Sequence, residues 1–298
     1  MTETMAHAAT QYRSVFRSDL FSGQTYLITG GGSGIGRCTA HELASLGAHV
    51  VLLGRRVEKL QQVAQEILED GGQVSYFSCD IRNEEQVRGV IADIMQQRGQ
   101  IHGLVNNAGG QFPSPLGMIS TKGFEAVIRN NLTGTFVMMR EVFQQSLQEH
   151  GGAIVNMTAD FWGGMPGMGH SGAARAGVDN LTKTASIEWA PFGIRVNAVA
   201  PGWIMSSGMD TYQGVMKTII PTLKTKVPLK RMGTESEVSA AICFLLSPAS
   251  AFITGMTLRI DGAASLGSRI WELPEHQQSV PYDGFHRAFI PDVLKQEE

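Results

Sequence analysis

Thr29-Gly30-Gly31-Gly32-Ser33-Gly34-Ile35-Gly36 follows the apolar run Thr25-Tyr26-Leu27-Ile28-Thr29 and leads into a helical pattern that opens with Arg37. Glycines at such a turn permit positive φ and let the backbone come close to a ligand. A diphosphate can then rest on the free N–H groups and the positive dipole end of the following helix. Taken alone, the cluster also fits an ordinary tight turn. Its neighbours decide between the two.

From Thr25 onward, short β-rich apolar runs alternate with longer amphipathic segments, the pattern of successive β-α-β units. The strands are expected at Thr25 to Thr29, His49 to Leu53, Val74 to Ser78, Ile101 to Val105, Ala153 to Met157, Ile194 to Val199 and Met256 to Ile260. Helices are expected at Arg56 to Glu69, Asn83 to Gln97, Gly123 to Gln148, Ser171 to Trp189 and Thr234 to Leu246. The predicted fold is α/β, a Rossmann-type doubly wound parallel sheet of seven strands with helices on both faces. Right-handed crossovers would place the site along the rim formed by the carboxyl ends of the strands. We expect one dinucleotide-binding domain over residues 1–298, with an N-terminal arm at 1–23 and a C-terminal tail at 267–298. That tail should be ordered against the body because it carries Trp271, Tyr282, Phe285 and Phe289.

The chain has 298 residues, a net charge of -3 and 17% charged residues, so no basic excess favours nucleic acid. Cys38, Cys79 and Cys243 are scattered, which argues against a disulfide framework or a metal site and for a reducing compartment. No apolar stretch reaches the roughly 18 residues of a membrane span. The first twenty residues lack a signal-peptide core, and the chain closes on Gln296-Glu297-Glu298 rather than a Ser-Lys-Leu-like address. A cytoplasmic location is expected.

About twenty positions beyond the glycine turn, where an acidic residue would bond a ribose 2'-OH, the sequence reads Leu53-Gly54-Arg55-Arg56. Gly54 offers no repulsion to a 2'-phosphate, and a guanidinium fork suits its oxygens, so NADP(H) is expected. The bland alternative is that Arg55 and Arg56 merely begin a solvated helix.

The Thr-Gly-x-x-x-Gly-x-Gly spacing resembles that of the short-chain dehydrogenase/reductase family, and the likeness runs from about Gly23 to Gly262. It includes Asn106-Asn107-Ala108-Gly109 after the fourth strand and Pro201-Gly202 after the sixth. The resemblance implies cofactor contacts at Gly30, Ser33, Gly34, Ile35, Gly36, Arg55, Arg56, Asp80, Ile81, Asn107, Ala108, Gly109, Arg175, Pro201, Gly202 and Ile204. Asp80 would touch the adenine.

The family's catalytic Asn, Ser, Tyr and Lys map onto Asn131, Thr158, Ser171 and Arg175, so two of the four slots are substantially changed. A serine hydroxyl has a much higher pKa and a shorter reach than a phenol, and Arg175 will not release a proton. The relay needed for ordinary alcohol or ketone chemistry is therefore lost. Serine in the Tyr slot also resembles the enoyl-CoA and 2,4-dienoyl-CoA reductase branch, peroxisomal trans-2-enoyl-CoA reductase most of all. The shared segments include Cys79 to Glu85, Gly109 to Phe112, His170 to Val178 and Phe244 to Pro248.

Reduction of an activated C=C needs hydrogen-bond donors for an enolate oxygen more than it needs a strong base. Asn131, Thr158 and Ser171 are expected to line that oxygen, and Arg175 to fix the nicotinamide ribose. Asp160, eleven residues before Ser171, stands where dienoyl-CoA reductases carry a proton-donating Tyr. It is either the acid for Cα or a solvated loop carboxylate. His170, beside a helix start, is read as structural.

The segment from Gly202 to Lys226 is rich in Met and aliphatic side chains, and it either covers an apolar acyl or isoprenoid substrate or packs in the core. Lys224, Lys226, Lys230 and Arg231 would meet CoA phosphates or remain solvated. The long helices near Gly123 and Ser171 imply a homodimer or homotetramer by resemblance. Three readings stand at this point. The first is an NADPH-dependent reductase of trans-2-enoyl-CoAs. The second is a dehydrogenase of acyclic terpenoid alcohols such as citronellol, and the third a catalytically impaired NADP(H)-binding protein.

Overall fold

In a computed structural model that describes residues 11–266 and 273–295, the chain forms a seven-stranded, fully parallel sheet in the order β3-β2-β1-β4-β5-β6-β7. The strands are β1 Thr25–Thr29, β2 His49–Gly54, β3 Gln73–Ser78, β4 Gly103–Asn106, β5 Gly152–Met157, β6 Ile194–Pro201 and β7 Thr257–Ile260. Every expected strand is present, with no end moved by more than two residues. The helices are α1 Gly34–Ser45, α2 Val57–Glu69, α3 Glu84–Arg98, α4 Thr121–Ile128, α5 Gly134–Val142, α6 Gln148–His150, α7 Gly169–Glu188, α8 Val215–Ile219 and α9 Glu235–Leu246.

Alternation along the strands divides the core in two. In β1 and β2, Tyr26, Ile28, Val50 and Leu52 face a layer with Leu43, Leu60, Ile67 and Ile242. Leu27, Val51 and Leu53 face the other, with Val87, Ile91, Met138 and Val142. Both faces are covered, as a parallel sheet requires.

Two expectations change. Helix α1 opens at Gly34 rather than Arg37, because the last turn residues already take up helical hydrogen bonding after the extended Ser33. The single helix expected from Gly123 to Gln148 is a rod interrupted by two π-turns, Arg129–Thr133 and Phe143–Leu147. The first of these carries Asn131, which is fully buried. Such one-turn bulges re-aim a side chain without ending the helix.

The C-terminal segment lies against the body. Phe285 is buried beside Tyr12 and the Arg37 guanidinium, while Arg287 pairs with Asp70 and Glu69. Trp271 lies outside the described residues. At the far end of the segment, the Asp292 and Val293 N–H groups donate to the Asp210 carboxylate in the insertion after β6.

Candidate active site

The order of the sheet reverses between β1 and β4, and there, beyond the carboxyl ends of the strands, lies a groove of the kind α/β sheets offer to ligands. Its walls include Gly30, Gly32, Ser33, Arg55, Arg56, Asp80, Ile81, Asn107, Ala108, Gly109 and Asn130. Gly30 and Gly34 adopt positive φ, 68° and 59°. A Cβ on Gly36 would stand 2.4 Å from Asn107 Nδ2 and 2.5 Å from the Gly30 carbonyl, so only glycine lets α1 cross the turn this closely. Asn107 Nδ2 donates to the Thr29 and Gly30 carbonyls, and Thr29 Oγ1 accepts from the Ala108 N–H. The turn is thereby pinned to the end of β4.

At the start of α1, Ser33 makes no capping hydrogen bond and no acidic residue occupies the first turn. By contrast, Thr234 and Glu237 form a full capping box on α9. Open N–H donors over a glycine floor fit the diphosphate of a dinucleotide. Arg55 and Arg56 make no ion pair among the described residues. Lys59, the third residue of α2, joins them in the groove. The sequence alone does not single it out, because Arg55 and Arg56 precede the helix and only the fold brings Lys59 beside them.

The other expected contact residues have partners within the fold. Asp80 lines the groove, but its carboxylate is held by the Arg82 guanidinium, closest at 2.6 Å, and that hydrogen bond keeps it down at about 2. Ile204 was expected at the cofactor. Its side chain is buried in the core layer with Ile242, and it bridges to Gly233. Pro201 ends β6, and the Gly202 N–H donates to the Ile260 carbonyl, where a Cβ would strike Asp261 at 2.8 Å. Ile35 sits in the first turn of α1, packed on the core.

Two of the catalytic slots, Asn131 and Arg175, meet beneath Gly109 and Gly110. Asn131 Nδ2 donates to the Gly110 carbonyl, and its Oδ1 accepts the Gly110 N–H. Arg175 donates to the Met157 carbonyl at 2.6 Å and passes under Gly109, where a Cβ would be 2.6 Å from its terminal nitrogen. Burial alone lowers its pKa to about 10, and no carboxylate reaches it among the described residues. A buried guanidinium whose one hydrogen-bond partner among the described residues is a carbonyl is suited to bonding hydroxyl oxygens of a bound group.

Thr158 and Ser171 depart from expectation. The Thr158 hydroxyl donates to the Val199 carbonyl of β6 at 2.9 Å, extending the strand ladder rather than facing a substrate. Ser171 has no exposed surface, and its hydroxyl donates to Gln111 Oε1 at 2.6 Å. His170 accepts the Ser171 N–H at Nδ1 and packs edge-on with Phe112. Asp160 lies on the loop after β5. Partial burial and the nearby Asp261 push its pKa up, against the pull of Arg259 and the Trp162 N–H. Gln111, which lies in the shared segment Gly109 to Phe112 but has no role assigned by it, and Tyr212, which the sequence does not single out, are joined by a hydrogen bond of 3.3 Å.

This fold and groove define a dinucleotide-binding oxidoreductase, and the chain belongs to the short-chain dehydrogenase/reductase family, which uses a nicotinamide cofactor. The family described as Enoyl-(Acyl carrier protein) reductase matches residues 30–265. A probable 2,4-dienoyl-CoA reductase of Bacillus subtilis is 37% identical over 239 residues, covering 79% of this chain and 94% of the relative. A peroxisomal 2,4-dienoyl-CoA reductase of Danio rerio is 34% identical over 262 residues, 87% of each chain. The solved structure of a citronellol catabolism dehydrogenase from Pseudomonas aeruginosa PAO1 is 62% identical, with a TM-score of 0.78, over 85% of this chain and all (100%) of that one.

Proposed function

We propose that the protein is an NADPH-dependent reductase of the C=C bond in a 2-enoyl thioester of CoA, with a medium or branched, isoprenoid-like acyl chain. The observation that carries this reading is the pair Ser171 and Arg175, buried where alcohol chemistry would need a phenol and an amine. Neither side chain can take a proton from an alcohol near neutral pH.

When bound, NADPH supplies a hydride for Cβ. The chain's own residues do the rest. The α1 N-terminus and glycine turn hold the diphosphate, Arg55, Arg56 and Lys59 the 2'-phosphate, and Arg175 the nicotinamide ribose. Asn131 fixes the Gly109-Gly110 backbone beside that ribose. Asp160, whose raised pKa keeps it protonated to higher pH, gives the proton to Cα. Met209, Ile220, Leu223 and Met232 form a buried apolar cluster in the insertion after β6, and the cleft beside it, lined by Met205, Pro221 and Leu229, suits a hydrocarbon chain.

Exposed Phe136 on α5 and Ile187 on α7 favour a homodimer or homotetramer built on these helices. None of the helices is long and apolar enough to cross a membrane among the described residues.

A second reading, oxidation of a free terpenoid alcohol, is favoured by the 62% identity to the citronellol catabolism dehydrogenase. One assay separates the two. Nicotinamide absorbance is followed with NADPH and a series of trans-2-enoyl-CoAs, then with NADP+ or NAD+ and citronellol or geraniol. Turnover of thioesters alone is expected; turnover of alcohols alone replaces the first reading with the second. Binding of NADPH without either turnover would mean a protein that holds the cofactor but does no chemistry.

A further inference from the structure

All three side chains expected to hold the substrate oxygen are already engaged. Thr158 gives its hydrogen to Val199, Asn131 is enclosed by Gly110, and Ser171 is covered and donates to Gln111. Gln111, which covers Ser171, is exposed. The two distances orient its amide. A contact of 2.6 Å suits O–H···O and is short for N–H···O, so Oε1 faces Ser171 and Nε2 faces Tyr212, at 3.3 Å.

That polarity has a consequence at the far end of the chain of bonds. Tyr212 Oη accepts from Gln111, and its own O–H has no acceptor among the described residues. Gln111 Nε2 keeps a second N–H. Two donors thus meet above the buried serine, one from the loop after β4 and one from the insertion after β6. Tyr212 is held in place independently. Its ring packs on the cluster of Met209, Ile220 and Leu223, together with Val293 and Leu294 of the C-terminal segment. Two residues earlier, Asp210 binds the backbone of that same segment.

Resting on the thioester-reductase reading, we infer that Gln111 and Tyr212 are the residues that hold the substrate's carbonyl oxygen, with Ser171 a positioning residue behind Gln111. Hydride arriving at Cβ pushes the C=C π pair into the Cα–carbonyl bond, and negative charge develops on the thioester oxygen. The Gln111 N–H and Tyr212 O–H stabilise that charge. A proton then joins Cα, the carbonyl re-forms, and the balance is one hydride and one proton added across the double bond. Ser171 donating to Oε1 polarises the amide and strengthens its N–H as a donor.

The test compares wild type with Gln111→Ala, Tyr212→Phe and Ser171→Ala, using NADPH and trans-2-enoyl-CoA. Loss of one oxyanion donor should lower kcat by about 100-fold, with NADPH affinity unchanged, in both Gln111→Ala and Tyr212→Phe. Ser171→Ala should fall less. Binding of cinnamoyl-CoA in the presence of NADP+ gives a readout without turnover. Polarisation of the conjugated thioester shifts its absorbance to the red in wild type and Ser171→Ala, and the shift disappears in the other two. The assignment is overturned if Gln111→Ala and Tyr212→Phe keep most of kcat and the red shift, or if Ser171→Ala alone abolishes the shift. A wild type that reduces no enoyl thioester overturns the thioester reading itself, and this assignment with it. That failure is recognisable because it needs no variant.

Discussion

Arg55 stands in the groove without a salt bridge among the described residues; the nearby Asp80 carboxylate is bonded to Arg82 instead, which leaves the Arg55 guanidinium available to a ligand phosphate. Replacing it by Asp removes a charge-assisted hydrogen bond of about 1.5–3 kcal/mol and adds repulsion. Calorimetric titration of Arg55→Asp should give NADPH affinity weakened by at least about 10-fold, with NADH affinity unchanged or improved; an unchanged NADPH preference would refute the cofactor assignment. Asp160 makes a prediction with a definite sign. Because its pKa is raised, the acid form persists to higher pH than in a free aspartate, and kcat should fall as pH rises through that pKa. Asp160→Asn should lower kcat by about 100-fold and flatten this limb of the pH profile. The place of Arg55 in the groove was legible in the sequence because its slot is defined by local spacing. Gln111 and Tyr212 were not, since they lie about a hundred positions apart (101) and meet only through tertiary packing.

At the level of helices, the open start of α1 faces a second helix start. Glu235, in the first turn of α9, is buried, and its Oε1 lies 3.8 Å from where a Cβ on Gly34 would be. Burial raises its pKa to about 7, against the pull of Arg37. Below that pH it is neutral; above it, an anion faces the seat of a diphosphate. NADPH affinity should therefore weaken severalfold from about pH 6 to about pH 8, as the Glu235 carboxyl ionises, and Glu235→Gln should remove the dependence. Titration calorimetry across that range is the check. Hydrophobic period and caps made most helices readable: Asn83 and Thr234, expected as first residues, are the N-caps of α3 and α9. The π-turn at Arg129–Thr133 was not readable, because Asn130-Asn131-Leu132-Thr133 has no composition that separates a π-turn from a regular helical turn. Yet that turn is what buries Asn131 against Gly110.

Across the whole molecule, the sheet followed from alternation of strand and helix patterns, whereas the course of the C-terminal segment did not. Its anchors are scattered: Phe285 against α1, Arg287 on the end of α2, and the backbone of Asp292 on Asp210. Phe285→Ala should cost about 3 kcal/mol or more in urea unfolding, in line with other buried aromatic truncations. A loss under about 1 kcal/mol would mean that the segment is only loosely attached. The guanidinium of Arg175 has a different reach. A cation enclosed by backbone, with only a carbonyl for company, weakens the fold until some guest offers it oxygen atoms. Heat resistance should therefore climb with nucleotide concentration, and climb less in Arg175→Met, which makes a melting curve a convenient gauge of occupancy.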